Sequence, residues 1–364
     1  MRRVLLTGGA GFVGANLAHF WRRRHPEDLV VVMDALTYAG NRGSLAGLDA
    51  DPGFEFVHAD IRDRPRVEEV LRTRRIDVVV HLAAESHVDR SILGPDAFVQ
   101  TNVVGTQRLL DAARAVWLDS GSGVPHRFHH VSTDEVYGSL ALDDPPFTEA
   151  TPFAPNSPYS ASKAGADHLV RAYHRTYGLE TTTTHSSNNY GAYQFPEKLI
   201  PLCLLNALQG LPLPIYGDGG NVRDWLFVED HCRAIEAALE RGSPGERYNV
   251  GGGDELSNLE LVRCLCAALD ASFRDTPGLE ARFPEAPAAR GRPTASLIRF
   301  VADRPGHDLR YAIDASKAVS ELGFRPETSL PDGLARAVGW YLEHEPWWRG
   351  IQDGSYRLPG QAGA

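Results

Sequence analysis

Residues 4–14 read Val-Leu-Leu-Thr-Gly-Gly-Ala-Gly-Phe-Val-Gly, an apolar run passing into a glycine-rich turn, with a helical pattern from Phe12 to Arg24 beyond it. Gly8, Gly9, Gly11 and Gly14 satisfy both Gly-x-x-Gly-x-x-Gly and Gly-x-Gly-x-x-Gly. Glycine is needed in such a turn because the chain bends sharply and its backbone must approach a pyrophosphate, which then rests on the helix N-terminus. Glycines open many ordinary turns, so the context decides. Asp34 closes the second apolar run, about 20 residues on, where a carboxylate accepts hydrogen bonds from an adenine-ribose diol. The same charge would repel a 2′-phosphate, which favours NAD over NADP. Asp60 and Ile61 close the third run and Leu82-Ala83-Ala84 the fourth, at the strand ends where such sheets bind ligands. Asp60 alone also fits a helix cap, and the small alanines would let the backbone pass close to a cofactor.

The pattern continues outward from that turn. Strands are predicted at Val4–Leu6, Leu29–Met33, Phe54–Val57, Val78–Leu82, Phe128–Val131 and Thr181–Thr184. Helices are predicted at Phe12–Arg24, Arg66–Arg74, from about Asp96 to Val116, and at Pro158–Tyr177. Apolar strands alternating with helices mark a parallel sheet covered on both faces. The fold class expected is therefore α/β, a Rossmann-type doubly wound parallel sheet, with a smaller mixed α/β substrate-binding domain towards the C-terminus. Residues 1–190 are assigned to the first domain, with part of 225–250 returning to it, residues 191–345 mainly to the second, and 346–364 to a tail. Helices are expected near Leu199–Gln209, Glu229–Glu240, Asn258–Leu269 and Leu330–His344. The aperiodic Pro277–Pro293 stretch reads as a surface insertion or mobile loop.

The 364 residues carry a formal charge of −10, with 43% hydrophobic and 23% charged residues. A nucleic-acid or anionic-membrane partner is disfavoured, because the long-range field repels phosphates. A phosphorylated substrate then needs local arginines and lysines. Cys203, Cys232, Cys264 and Cys266 lack metal-ligand spacing with nearby histidines, so they read as buried free thiols and no metal is expected. The start lacks a signal-peptide core, and no run reaches the roughly 18 apolar residues of a membrane span. Cytoplasmic location is the expectation.

Two stretches carry chemistry. Asn156-Ser157-Pro158-Tyr159 looks like a helix start, with Ser157 as N-cap and Pro158 in the first helical position. Tyr159 then lies in the first turn and Lys163 four residues on, on the same face, where its ammonium lowers the phenol towards neutrality. Such a phenol suits a base for a sugar hydroxyl whose carbon loses hydride. Ser132, Thr133, Asp134 and Glu135 follow the fifth strand directly. Thr133 is placed to hold the reacting hydroxyl. Asp134 and Glu135 in one desolvated pocket cannot both ionise easily, so one stays protonated as an acid while its neighbour serves as a base. A solvated Asp-Glu turn is the bland alternative.

These residues resemble the extended short-chain dehydrogenase/reductase family, specifically its nucleotide-sugar 4,6-dehydratases, over about residues 3–345. The resemblance rests on Thr-Gly-Gly-Ala-Gly-Phe-Val-Gly at 7–14, Leu-Thr-Tyr-Ala-Gly-Asn at 36–41, His-Leu-Ala-Ala-Glu-Ser-His-Val-Asp-Arg-Ser at 81–91, Ser-Thr-Asp-Glu-Val-Tyr-Gly at 132–138 and Tyr-Ser-Ala-Ser-Lys at 159–163. Ser-Asn-Asn-Tyr-Gly at 187–191, Gln-Phe-Pro-Glu-Lys-Leu-Ile-Pro at 194–201, Arg-Asp-Trp-Leu at 223–226 and Asp-Arg-Pro-Gly-His-Asp at 303–308 extend it. The Thr-Asp-Glu triplet is its most diagnostic part, since related epimerases and decarboxylases carry other residues there.

The resemblance implies NAD as cofactor and a nucleotide sugar, dTDP-glucose, as substrate, with dTDP against UDP left open. It implies that Tyr159, with Lys163 and Thr133, serves oxidation at carbon 4, that Glu135 takes the carbon-5 proton and that Asp134 protonates the leaving 6-hydroxyl. Cofactor contacts are implied at Gly8, Gly11, Phe12, Val13, Gly14, Asp34, Ala35, Leu36, Thr37, Asp60, Ile61, Leu82, Ala83, Ala84, Ser86, Thr101, Ser132, Tyr159, Lys163 and Asn189. Substrate contacts are implied at Ser86, Thr133, Asn188, Lys198, Leu199, Pro214, Ile215, Tyr216, Arg223, Asn258, Asp303 and His307. Lys198 and Arg223 suit a diphosphate, arginine through its fork geometry, and Tyr216 suits stacking on a base. A homodimer through the helices near 96–116 and 158–177 is also implied. The chain departs from the family at Ala192, where proline is usual and whose loss loosens the loop to Lys198. It departs also at Ala35, where lysine is common, and in the length of the 277–293 segment. A 4-epimerase or decarboxylase on the same fold is the alternative.

Overall fold

A computed structural model describes residues 1–121, 123–303 and 306–357. Seven strands form one sheet: β1 (Arg3–Thr7), β2 (Leu29–Asp34), β3 (Phe54–His58), β4 (Val78–His81), β5 (Arg127–Thr133), β6 (Thr181–Ser186) and, later in the chain, β10 (Arg247–Val250). Their spatial order is β10-β6-β5-β4-β1-β2-β3, every pairing parallel. Alternate side chains of a strand point to opposite faces, and the two faces build two cores. Leu5, Val31, Met33, Val79 and Phe128 pack towards the helices Arg64–Thr73, Thr106–Arg114 and Pro158–Tyr177. Val4, Leu6, Val30, Val32 and Val80 pack towards Phe12–Arg24 and Val228–Arg241. The chain thus returns to the sheet through the 228–241 helix and β10.

A separate core joins the helices Leu199–Leu208, Asn258–Asp275 and Leu330–Glu343. Short strands flank it: β7 (Asn188–Tyr190), β8 (Leu213–Tyr216), β9 (Val222–Phe227), β11 (Glu255–Ser257) and β12 (Ile298–Val301). They pair as β11-β9-β7 and β12-β8.

Three expectations are corrected. The 277–293 stretch is not irregular throughout: it turns through a short helix at Leu279–Arg282, and Leu279, Phe283 and Ala286 enter the core of the 199–208, 258–275 and 330–343 helices. Its apolar residues are too few for a period but enough to anchor it. The tail read from 346 begins as the helix Glu345–Gln352, whose Trp348 is fully buried and donates its indole N–H to the Tyr341 carbonyl. Cys264 is exposed, while the other three cysteines are buried. Among the described residues no helix is long and apolar enough to cross a membrane.

Candidate active site

The carboxyl ends of the strands open on a cavity of about 440 Å³, within the usual range for small-molecule sites. The glycine turn forms one wall. Gly8 has φ +71°, and a Cβ there would meet the Ala83 backbone at 2.6 Å; one on Gly14 would meet the Gly8 carbonyl oxygen at 2.3 Å. The 12–24 helix begins behind Gly11, which has no side chain to cap its first amides, so those N–H groups face the cavity as an anion seat. Asp34 accepts from Ala10 N (2.9 Å) and Leu36 N (2.8 Å). Burial raises its carboxyl, and those two hydrogen bonds oppose the shift. These features fit a dinucleotide.

The turn after β5 brings the acid/base groups to the opposite wall. Thr133 caps it, its Oγ1 accepting from Glu135 N (3.3 Å) and donating to Asp134 Oδ1 (3.3 Å). The same hydroxyl hydrogen-bonds Tyr159, so one threonine joins the phenol to the Asp134 carboxyl and to the Glu135 backbone amide. Asp134 is 1% exposed. Burial, then the neighbouring charges of Glu135 and Asp224, hold it well above the ordinary carboxylate range, against Arg223 and the Thr133 hydrogen bond. Asp134 is thus the carboxyl that its surroundings bias towards the protonated form.

Ser157 caps the helix Pro158–Tyr177 through a capping box with Ser160, which presents Tyr159 and Lys163 to the cavity. Lys163 Nζ donates to the Val131 carbonyl at 2.8 Å. Burial lowers the ammonium to about 8, and Asp167 opposes the fall. The expectation of a phenol lowered towards neutrality is reversed: burial, then the charges of Glu135 and Asp134, push Tyr159 well above its ordinary value. A helix N-terminus and one lysine do not outweigh desolvation beside two carboxyls.

Around this cavity the structure gathers Gly8, Gly11, Phe12, Val13, Gly14, Asp34, Ala35, Thr37, Asp60, Ile61, Leu82, Ala83, Ala84, Ser86, Thr101, Ser132, Thr133, Asp134, Glu135, Tyr159, Lys163, Asn188, Asn189 and Lys198. Thr101 arrives on a π-helical segment, Val99–Gly105, a local widening of the kind that often accompanies functional sites. Asp60 caps no helix. It pairs with Arg62, and Asp63 caps the 64–73 helix instead. Leu36, at φ +51°, sends its side chain into the core rather than the wall.

The remaining residues lie outside the cavity wall. Ile215 is buried in the core of the 199–208, 258–275 and 330–343 helices, as Leu199 partly is; Pro214 sits in β8 and Asn258 opens the 258–275 helix. Tyr216 meets His307 edge to face at 6.2 Å, and His307 Nδ1 lies 2.7 Å from Asp303 Oδ1. Arg223 donates to the Asp308 carbonyl at 2.9 Å and lies over the Tyr311 ring at 4.2 Å. Its charge reaches Asp134, and that of Glu135 reaches Tyr311, which links this group to the acid/base pair. Ala192 is pinned: its carbonyl accepts from Asn16 Nδ2 at 2.8 Å. Ala35 accepts through its own carbonyl from His58.

The sequence reading missed Glu85, Glu197, Tyr38 and His231, all on the wall. Burial raises Glu85 and Glu197, and Tyr38 hydrogen-bonds Ser86 and Glu197. Burial lowers His231 to about 4, and its Nδ1 lies 3.0 Å from Asn189 Oδ1. The two glutamates adjoin Ser86 and Lys198 in sequence, a signal that was available. His231 had none.

Comparison with known proteins agrees with the site. The family model described as GDP-mannose 4,6 dehydratase matches residues 5–337. A dTDP-glucose 4,6-dehydratase of Neisseria meningitidis serogroup B is 52% identical over 360 residues, covering 98% of each chain. A solved dTDP-glucose 4,6-dehydratase of Streptomyces venezuelae, with NAD and dTDP bound, is 50% identical with a TM-score of 0.84, covering 96% of this chain and 99% of its own. A UDP-glucose 4-epimerase of Thermotoga maritima is more distant, at 26% identity and a TM-score of 0.78 over 94% of this chain and 99% of its own. By fold, by cavity and by these relatives, the chain belongs to the GDP-mannose 4,6 dehydratase family within the extended short-chain dehydrogenase/reductases.

Proposed function

We propose that this protein is an NAD-dependent dTDP-glucose 4,6-dehydratase, converting dTDP-glucose to dTDP-4-keto-6-deoxyglucose and water. The observation that carries the reading is the buried Asp134, biased towards its protonated form beside Glu135, with both side chains' charges acting on Tyr159 and Thr133 bonding Tyr159, the Asp134 carboxyl and the Glu135 amide. An enzyme that only oxidises or epimerises at carbon 4 has no use for that pair.

The turn at Gly8–Gly14 and Asp34 would hold the dinucleotide's pyrophosphate and adenine ribose, and Lys163 its nicotinamide ribose. Bound NAD would supply a hydride acceptor for carbon 4 and a hydride donor for carbon 6. Tyr159 would take the proton of the 4-hydroxyl as a phenolate, a form that the Lys163 ammonium and the positive nicotinamide of bound NAD would favour against the burial and carboxyl charges that oppose it, with Thr133 positioning the sugar. The resulting ketone acidifies carbon 5, from which Glu135 removes the proton. Asp134 donates its proton to the 6-hydroxyl, which leaves as water, and once carbon 6 has gained hydride Glu135 returns its proton to carbon 5. Lys198 and Arg223 would meet the diphosphate, Tyr216 the base, and Asn188, Asn258, Asp303 and His307 the rest of the nucleotide sugar.

Incubation with dTDP-glucose should yield the alkali-induced absorbance of a 4-keto sugar. No ketone, with dTDP-galactose appearing instead, would make the enzyme an epimerase. Preference for dTDP over UDP follows from the relatives' names and is tested by the ratio of kcat/KM on the two sugar nucleotides. We also propose a cytoplasmic homodimer. Exposed Ile92, Leu93 and Val99 form apolar surface beside the 158–177 helix. Sedimentation should give twice the chain mass, and Leu93→Glu should halve it.

A further inference from the structure

Behind the cavity wall lies a buried aspartate that the proposed mechanism does not use. Asp167 is 6% exposed and sits four residues beyond Lys163, on the same face of the 158–177 helix. Ser132, which lines the cavity, donates its hydroxyl to Asp167 Oδ2 at 3.0 Å. His185 Nε2 on β6 lies 2.9 Å from the same oxygen, and His130 Nε2 on β5 lies 3.0 Å from Oδ1.

The surroundings make the carboxylate matter to Lys163. His130 is held down to about 4 by burial and then by the charge of Lys163, so at neutral pH it sits against Asp167 without adding charge. His81 on β4 is also held down by burial, with both ring nitrogens on threonines, Thr7 and Thr106. His129 is engaged by Thr182 and Thr184. Tyr137, on the turn after β5, bonds Asn249 Oδ1 and approaches His185. Glu135 and Asp134 face Tyr159 from that turn. On the neighbouring 106–114 helix, Asp111 bonds Tyr173 at the far end of the 158–177 helix. The charge of Asp167 opposes the desolvation of Lys163.

We propose that Asp167 is a positioning residue of the active site: its buried carboxylate keeps the Lys163 ammonium charged and seated on the Val131 carbonyl, and through Ser132 it ties that charge to the cavity wall. Lys163 would otherwise surrender its proton to burial, and Tyr159 would lose its only adjacent cation on the helix. The inference rests on the proposed function for its consequence in turnover, but not for the state of Lys163 itself.

The test uses the full chain with NAD bound. Lys163, Lys198 and Lys317 are its only lysines, so 15Nζ-lysine labelling gives three titrating signals, assigned by single Lys→Arg replacements. In Asp167→Asn the Lys163 midpoint should fall at least about tenfold in proton affinity, and the alkaline limb of kcat should shift to lower pH with KM unchanged. Asp167→Glu should restore both. Asp167→Ser, small enough to admit water between the two histidines, serves if the asparagine variant does not fold. A Lys163 midpoint unmoved in either neutral variant overturns the proposal, as does a uniform loss of kcat at every pH. If the unaltered chain makes no ketone, the proposed function fails instead, and the Lys163 midpoint still decides the role of Asp167.

Discussion

Asp134 and Asp167 lie on opposite sides of the carboxyl end of β5, both almost fully buried, and they are driven in opposite directions. Asp134 faces the cavity among like charges, Glu135 and Asp224, and is held well above the carboxylate range. Asp167 faces the interior, where His185, His130 and the Ser132 hydroxyl hold it well below that range despite burial. Burial raises both, so the partners decide the outcome. The cavity side of the strand is built to store a proton and the interior side to store a charge.

The largest expected effect attacks the cavity side. Glu135→Gln should lower kcat about 10³-fold while leaving oxidation intact, so NADH absorbance should build up when substrate is added; normal turnover would remove Glu135 as the base. Asp134→Asn should lower kcat about 10²-fold. A substrate bearing fluorine in place of the 6-hydroxyl should recover part of that loss, because fluoride leaves with less help from an acid. Equal loss on both substrates would deny Asp134 the role of donor.

Stability sharpens the contrast, with opposite signs. Asp167→Asn should cost about 3 kcal/mol at neutral pH, the usual penalty for breaking a buried ionic group from its partners. Asp134→Asn should cost nothing there, or should stabilise. The pH dependence follows from linkage. The raised Asp134 contributes stability fully present below its ordinary value of 3.8 and lost as pH rises through its folded value. The lowered Asp167 contributes stability present above 3.8 and lost as pH falls. In denaturant melts, the deficit of Asp167→Asn should therefore shrink in acid, and any advantage of Asp134→Asn should shrink there too.

How much of this was legible in the sequence follows the same division. Six of the seven sheet strands and the helices Phe12–Arg24 and Pro158–Tyr177 were readable because periodicity and caps are local signals, and Ser157 and Pro158 mark a helix start without any tertiary contact. The glycine turn and the Thr133–Glu135 run were readable because their chemistry is contiguous. Asp167 was not, because its meaning depends on His130 and His185 arriving from two other strands. His231 reaches the cavity from a helix beyond β9, and Glu85 and Glu197 from separate loops. The phenol of Tyr159 misled for the same reason: spacing shows the lysine four residues away but not the desolvation around it. Periodicity also failed at 277–293, where three apolar side chains anchor an otherwise irregular stretch.

The central claim is that the carboxyls divide acid and base duties while the cofactor's electrons leave carbon 4 and return to carbon 6 of the same molecule. dTDP-glucose carrying deuterium at carbon 4 tests it most directly, with the product's methyl group examined by NMR. The account predicts one deuterium in that methyl and none lost to water. Deuterium retained at its starting carbon, or washed out into solvent, would contradict it.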